Sequence, residues 1–183
     1  MGYGNTSRLF HWGTVLLVLV MIPTGLVMTQ EIPRPVQDAL FIVHKGLGPF
    51  VLALVLARLA WRLAVPPEPL PAEIPAAQRR AAAAVHTGLY LLLIVMGVSG
   101  YVRVTAGGYP IESLRALGIP PLLGKDEALA DTAKAIHAAA KSGLIALILL
   151  HVGAAAFHGL VRRDGVVGRM WPPLRRQTAP RAD

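Results

Sequence analysis

The sequence predicts an all-α membrane protein, a bundle of four transmembrane helices, and three observations predict it. Of its 183 residues 54 % are hydrophobic and only 15 % charged, where a soluble domain carries about a quarter. Mean hydropathy is +0.54. The apolar residues fall into four long runs, and the basic residues lie mostly between them. A formal charge of +8 raises nucleic acid as a partner. That reading needs a basic face on a folded domain, so membrane lipid is the expected partner and no nucleic acid is.

Each span can be justified in order. A bilayer core takes roughly 20 apolar residues as helix. Leu9 to Met28 is the first run, interrupted by Pro23 and Gly25, which membrane helices tolerate. It lacks the charged, apolar, small-residue plan of a cleaved signal, so it is expected as a retained helix. Leu40 to Ala57 is the second run, beginning nearer Val36 and ending at Arg58–Arg62. Ala81 to Val102 is the third and Ala138 to Val161 the fourth. The expected helices run over about 7–29, 36–63, 80–103 and 133–162 in one domain, 1–173, followed by a basic tail, 174–183. Val65–Pro75, with five prolines, reads as an extended linker. Arg103 to Lys134 is the longest connection, with one short helix expected at Ile111–Leu117 and a break at Ile119–Pro120–Pro121.

Charge placement orients the bundle. With four spans, the N-terminus, the second connection and the C-terminus share a side. That side carries eleven basic residues: Arg8, Arg58, Arg62, Arg79, Arg80, Arg162, Arg163, Arg169, Arg175, Arg176 and Arg181. The other side carries seven (Arg34, Lys45, Arg103, Arg115, Lys125, Lys134 and Lys141) against six acids. The excess of arginine and lysine marks the cytoplasmic side, so both termini are expected in the cytoplasm.

The candidate chemistry rests on histidine. Cysteine is absent, which excludes disulfides, zinc–thiolate and iron–sulfur ligation, and covalent haem attachment through C-x-x-C-H. Six histidines remain, and an ionisable side chain inside a span is a functional hypothesis by default. His11 lies near the inner end of the first helix and His44 near the outer end of the second. The fourth helix carries His137 and, fourteen residues later, His151. Fourteen residues return to within about 40° of one face, roughly 21 Å along the axis. His11 then matches His151 in depth, and His44 matches His137. Neutral imidazole is a strong axial ligand for haem iron, and facing helices of a bundle build cofactor sites. His86 and His158 are secondary candidates. Either could replace an inner ligand, bond a haem propionate, line a quinone pocket or lie at the interface. Zinc transport and di-iron chemistry fit less well: no carboxylate lies in the apolar cores, and there is no Glu-x-x-His pair.

These residues resemble the bacterial cytochrome b561 family. The likeness is carried by Arg8-Leu9-Phe10-His11-Trp12, His44-Lys45-Gly46, Arg58-Leu59-x-Trp61-Arg62, His86-x3-Tyr90 and the His137-x13-His151-x6-His158 array before Arg162-Arg163-Asp164-Gly165. It runs from Arg8 to about Pro173. The resemblance implies two non-covalent haems b, one held by His11 and His151 and the other by His44 and His137. It implies a quinone-linked oxidoreductase of the bacterial inner membrane, with ubiquinone or another quinone as carrier and superoxide as a possible periplasmic donor, as in superoxide oxidases. Bis-histidine iron has no open position, so such haems would carry electrons rather than bind oxygen. Lys45, Arg103, Lys134 and Lys141 are expected around the periplasmic haem edge, contacting propionates or focusing an anion. The alternative is a haem b anchor subunit that relays electrons for a soluble dehydrogenase, hydrogenase or cytochrome partner.

Overall fold

The computed structural model describes Tyr3 to Trp171; the basic tail expected at 174–183, with Arg175, Arg176 and Arg181, lies outside the described residues. Four long helices are each apolar enough to span a bilayer: α1 (Asn5–Val27), α2 (Arg34–Ala64), α3 (Ala76–Ala106) and α5 (Glu127–Ala156). A short α4 (Glu112–Ala116) lies in the last long connection. Among the described residues there is no strand.

The spans exceed their apolar runs for local reasons. α5 starts at Glu127, six residues before the expected 133, because the Asp126 carboxylate accepts from the Leu129 N–H at 3.0 Å and caps the helix. α3 starts at Ala76 because Pro75 cannot continue a helix backwards, while its carbonyl accepts from Arg79 N–H and Ala-rich sequence follows. α2 has Pro35 in its first turn, where a missing N–H costs nothing. At 31 residues α2 and α3 are roughly 46 Å long, enough to reach past the hydrocarbon into the headgroups.

α1 packs along α2, α2 along α3, and α3 along α5, whereas packing of α5 against α1 and α2 is thin. Small residues permit the close α3–α5 approach: a Cβ on Gly88 would stand 2.7 Å from Leu147 Cδ1. Midway along the bundle Val51, Val55, Leu93 and Leu144 form a buried apolar cluster, flanked by Leu17, Val18 and Met21.

The ends are tied by polar contacts. At one end Arg8 is fully buried, donating to the carbonyls of Tyr3 (2.9 Å), Gly168 (3.2 Å) and Arg169 (2.7 Å). Trp12 Nε1 donates to Met170 O at 3.1 Å, and Arg169 reaches Glu68 O in the proline-rich linker. N-terminus, linker and the 166–171 segment therefore share one end. At the opposite end α4 folds over α2, with Ser113 Oγ donating to Gly46 O at 2.8 Å.

Candidate functional site

The structure groups the histidines in two layers. His44 of α2 faces His137 of α5 with ring centres 6.4 Å apart, and His11 of α1 faces His151 of α5 at 6.3 Å. A metal bound by imidazole lies about 2 Å from the nitrogen, so two rings trans on one metal stand roughly 6 Å apart. Both pairs have that separation. Both also bridge the thinly packed seam between α5 and the α1–α2 pair. The donor set and the spacing therefore fit a haem in each layer. The apolar cluster around Val55 and Leu144 lies between the layers.

The His44–His137 pair, expected on the outer side, is held by hydroxyls. Thr24 Oγ1 lies 3.2 Å from His44 Nδ1, and Ser99 Oγ lies 3.1 Å from His137 Nδ1. The next residue in each case is a glycine packed on the same ring. A Cβ on Gly25 would stand 2.8 Å from His44 Cε1, and one on Gly100 3.1 Å from His137 Cε1. Neither the hydroxyls nor these glycines were singled out by the sequence. Their signal is the recurrence of a hydroxyl–glycine dipeptide near the outer ends of two different spans.

The inner pair differs. Arg58 Nη2 donates to His11 Nδ1 at 3.0 Å, so His11 carries its proton on Nε2 in this arrangement. Ligation through Nε2 requires that proton to leave. Arg58 also lies over the Tyr90 ring at 5.4 Å, with Arg62 beside it at 5.9 Å. His86 stands edge-on to His151 at 5.3 Å. That is closer than two trans ligands allow, and it spans the closely packed α3–α5 interface, where a macrocycle would not fit. His86 is a neighbour of the inner pair.

His158 lies in a π-helical turn at Phe157–Arg162, and its Nδ1 donates to Asp164 Oδ2 at 2.6 Å. That hydrogen bond, with the neighbouring Arg162 at 3.3 Å, holds the Asp164 carboxyl below the usual carboxylate range.

The four outer cations are in unequal positions. Lys45 is bound by Glu112 Oε1 at 3.0 Å and Pro110 O at 3.1 Å. Burial alone would raise the Glu112 carboxyl, but the Lys45 hydrogen bond prevails and holds it below its ordinary value. Arg103 lies within electrostatic reach of both His44 and His137, and Lys141 of His137. Lys134 is exposed. Nearby acids are engaged locally: Asp126 caps α5, and Glu127 pairs with Lys125 at 3.0 Å.

The chain is similar to known proteins over nearly its whole length. The protein-family model described as prokaryotic cytochrome b561 matches residues 2–173. Cytochrome b561 homolog 2 of Escherichia coli (strain K12) is 34 % identical over 173 residues, covering 92 % of this chain and 90 % of that protein. Cytochrome b561 homolog 1 of the same organism is 24 % identical over 172 residues, covering 93 % of this chain and 97 % of that protein.

Proposed function

The chain belongs to the prokaryotic cytochrome b561 family, which makes it a bacterial membrane protein of transmembrane electron transfer through haem b, and we propose that it is an oxidoreductase passing electrons from the periplasmic face to quinone. The observation that carries this reading is the pair of opposed histidine sets, 6.4 Å and 6.3 Å apart, at two depths of one bundle. His44 with His137 would hold the outer haem, and His11 with His151 the inner one. Haem b, held there by these imidazoles, would supply a one-electron iron couple.

The protein's own part is position and exclusion. Val51, Val55, Leu93 and Leu144 form the apolar cluster between the layers, which would keep water from the stretch that electrons cross. At the outer end Arg103, Lys141 and Lys134 favour a small anionic donor such as superoxide. Lys45 contributes less, because Glu112 neutralises it. Two superoxide anions would each lose one electron to become dioxygen. The two electrons and two protons would convert one quinone to quinol. The arginine excess at the inner end supports the inner membrane with both termini cytoplasmic.

The purified protein should bind two haems, give a reduced-minus-oxidised spectrum of b type, and be reduced by generated superoxide with re-oxidation by added quinone. If superoxide leaves the haems oxidised while a co-purifying soluble partner reduces them, the chain is an anchor subunit instead.

A further inference from the structure

Two short dipeptides stand in matching relation to the outer histidines. Thr24–Gly25 of α1 meets His44 of α2, and Ser99–Gly100 of α3 meets His137 of α5. In each, the hydroxyl also bonds its own helix. Thr24 Oγ1 donates to Val20 O at 2.8 Å, and Ser99 Oγ to Val95 O at 2.6 Å. A hydroxyl has one hydrogen. With that hydrogen on a carbonyl four residues back, the oxygen has only lone pairs to offer the imidazole. Nδ1 must then be the donor, and Nε2 is left as the bare nitrogen. The glycine completes the arrangement, since a Cβ at position 25 would overlap the His44 ring and one at position 100 would press tightly on the His137 ring.

We propose that Thr24–Gly25 and Ser99–Gly100 are positioning dipeptides that preset His44 and His137 as Nδ1–H, Nε2-ligating imidazoles before any haem arrives. The proposal rests on the reading of His44 and His137 as ligands. The dipeptides act through the histidines and touch neither substrate nor iron. Their hydroxyls also tune the site, because an acceptor on Nδ1–H makes the imidazole a stronger donor and favours oxidised iron. The inner pair lacks this preset at His11, whose Nδ1 receives the Arg58 guanidinium.

The first test uses the haem-free protein with 15N-labelled histidine. His44 and His137 should give the Nδ1–H tautomer and His11 the Nε2–H tautomer; Nε2–H signals at His44 and His137 would overturn the proposal. The second uses the haem-loaded protein. Thr24→Val and Ser99→Ala should raise the outer haem's midpoint potential and shift its low-spin resonance g-values, leaving the inner haem unchanged. Thr24→Ser and Ser99→Thr should restore both. Loss of the outer haem alone in Thr24→Val, recovered in Thr24→Ser, is the stronger form of the same result. Gly25→Ala, with the shorter contact, should disturb the outer haem more than Gly100→Ala. Unaltered potential and g-values in both hydroxyl-free variants would refute the positioning role. A His44→Ala protein that keeps two haems would instead refute the ligand reading beneath it, so the two failures are told apart.

Discussion

Arg58 offers the sharpest quantitative test of the inner site. Its guanidinium nitrogen stands 3.0 Å from His11 Nδ1. An imidazole ring and a metal–nitrogen bond of about 2 Å extend roughly 4 Å beyond that nitrogen, so the cation would lie about 7 Å from an iron held by His11. At an effective dielectric of about 20, a unit charge at that distance is worth about 2.4 kcal/mol, or roughly 100 mV for a one-electron couple. Arg58 is only half-buried, and solvent screening reduces the effect toward about half. A cation disfavours the more positive oxidised iron, so it raises the potential. Arg58→Gln should therefore lower the inner haem's midpoint potential by roughly 50–100 mV, while Arg58→Lys should retain most of it. The assay is an optical redox titration in a His44→Ala background, where a single haem titrates. An inner potential that is unchanged or rises in Arg58→Gln, at full haem content, would show the electrostatic reasoning to be wrong.

His44→Ala and His137→Ala should each remove the same haem and leave about half the pigment, His11→Ala and His151→Ala should each remove the other, and His86→Ala and His158→Ala should keep both; haem extraction and spectra decide. A reporter fused after Trp171 should behave as cytoplasmic and one inserted at Gly118 as periplasmic, and protease accessibility with the reverse pattern would invert the proposed topology. Glu112→Gln frees the Lys45 ammonium and should speed reduction by superoxide at low salt, an advantage that disappears as salt rises. Falling pH acts at the same contact. The Glu112 carboxyl is held below its ordinary 4.5, so the Lys45 pair contributes its full stability above the unfolded value and loses it as pH falls through the lower folded one. Docking of α4, followed by hydrogen exchange, should therefore survive at pH 5 and loosen only in stronger acid.

The architecture was legible in the sequence because a bilayer demands a length of apolar chain that little else imitates. The depth matching of His11 with His151 and of His44 with His137 was legible too, since helical rise is fixed and four spans leave few arrangements. Lateral relations were harder to read. That Gly25 and Gly100 press on imidazoles depends on which helix neighbours which, and composition alone assigns glycine to ordinary packing. Arg58 was counted as a topology signal, although its guanidinium reaches His11. Lys45 was expected at the periplasmic haem edge, contacting a propionate or focusing an anion, and only the folding back of α4 brings Glu112 to it. The His158–Asp164 contact was not legible either, since it forms where the chain leaves a π-helical turn for which the residues Phe157–Arg162 carry no distinctive pattern.

The thin contact between α5 and the α1–α2 pair has a consequence for how the protein is made. α3 and α5 close on each other through small residues, whereas the remaining seam is bridged by the apolar cluster at mid-depth and, above and below it, by the facing imidazoles. Insertion into the membrane and completion of the bundle then become separate events, with the cofactor acting as mortar. Such a protein would enter the bilayer as a bundle ajar on one side and take up haem laterally, between α5 and its distant neighbours. Because the chain has no cysteine, pairs introduced across that seam would report on it against a silent background: cross-linking efficiency should change sharply with haem supply across the α1–α5 seam and hardly at all between α3 and α5.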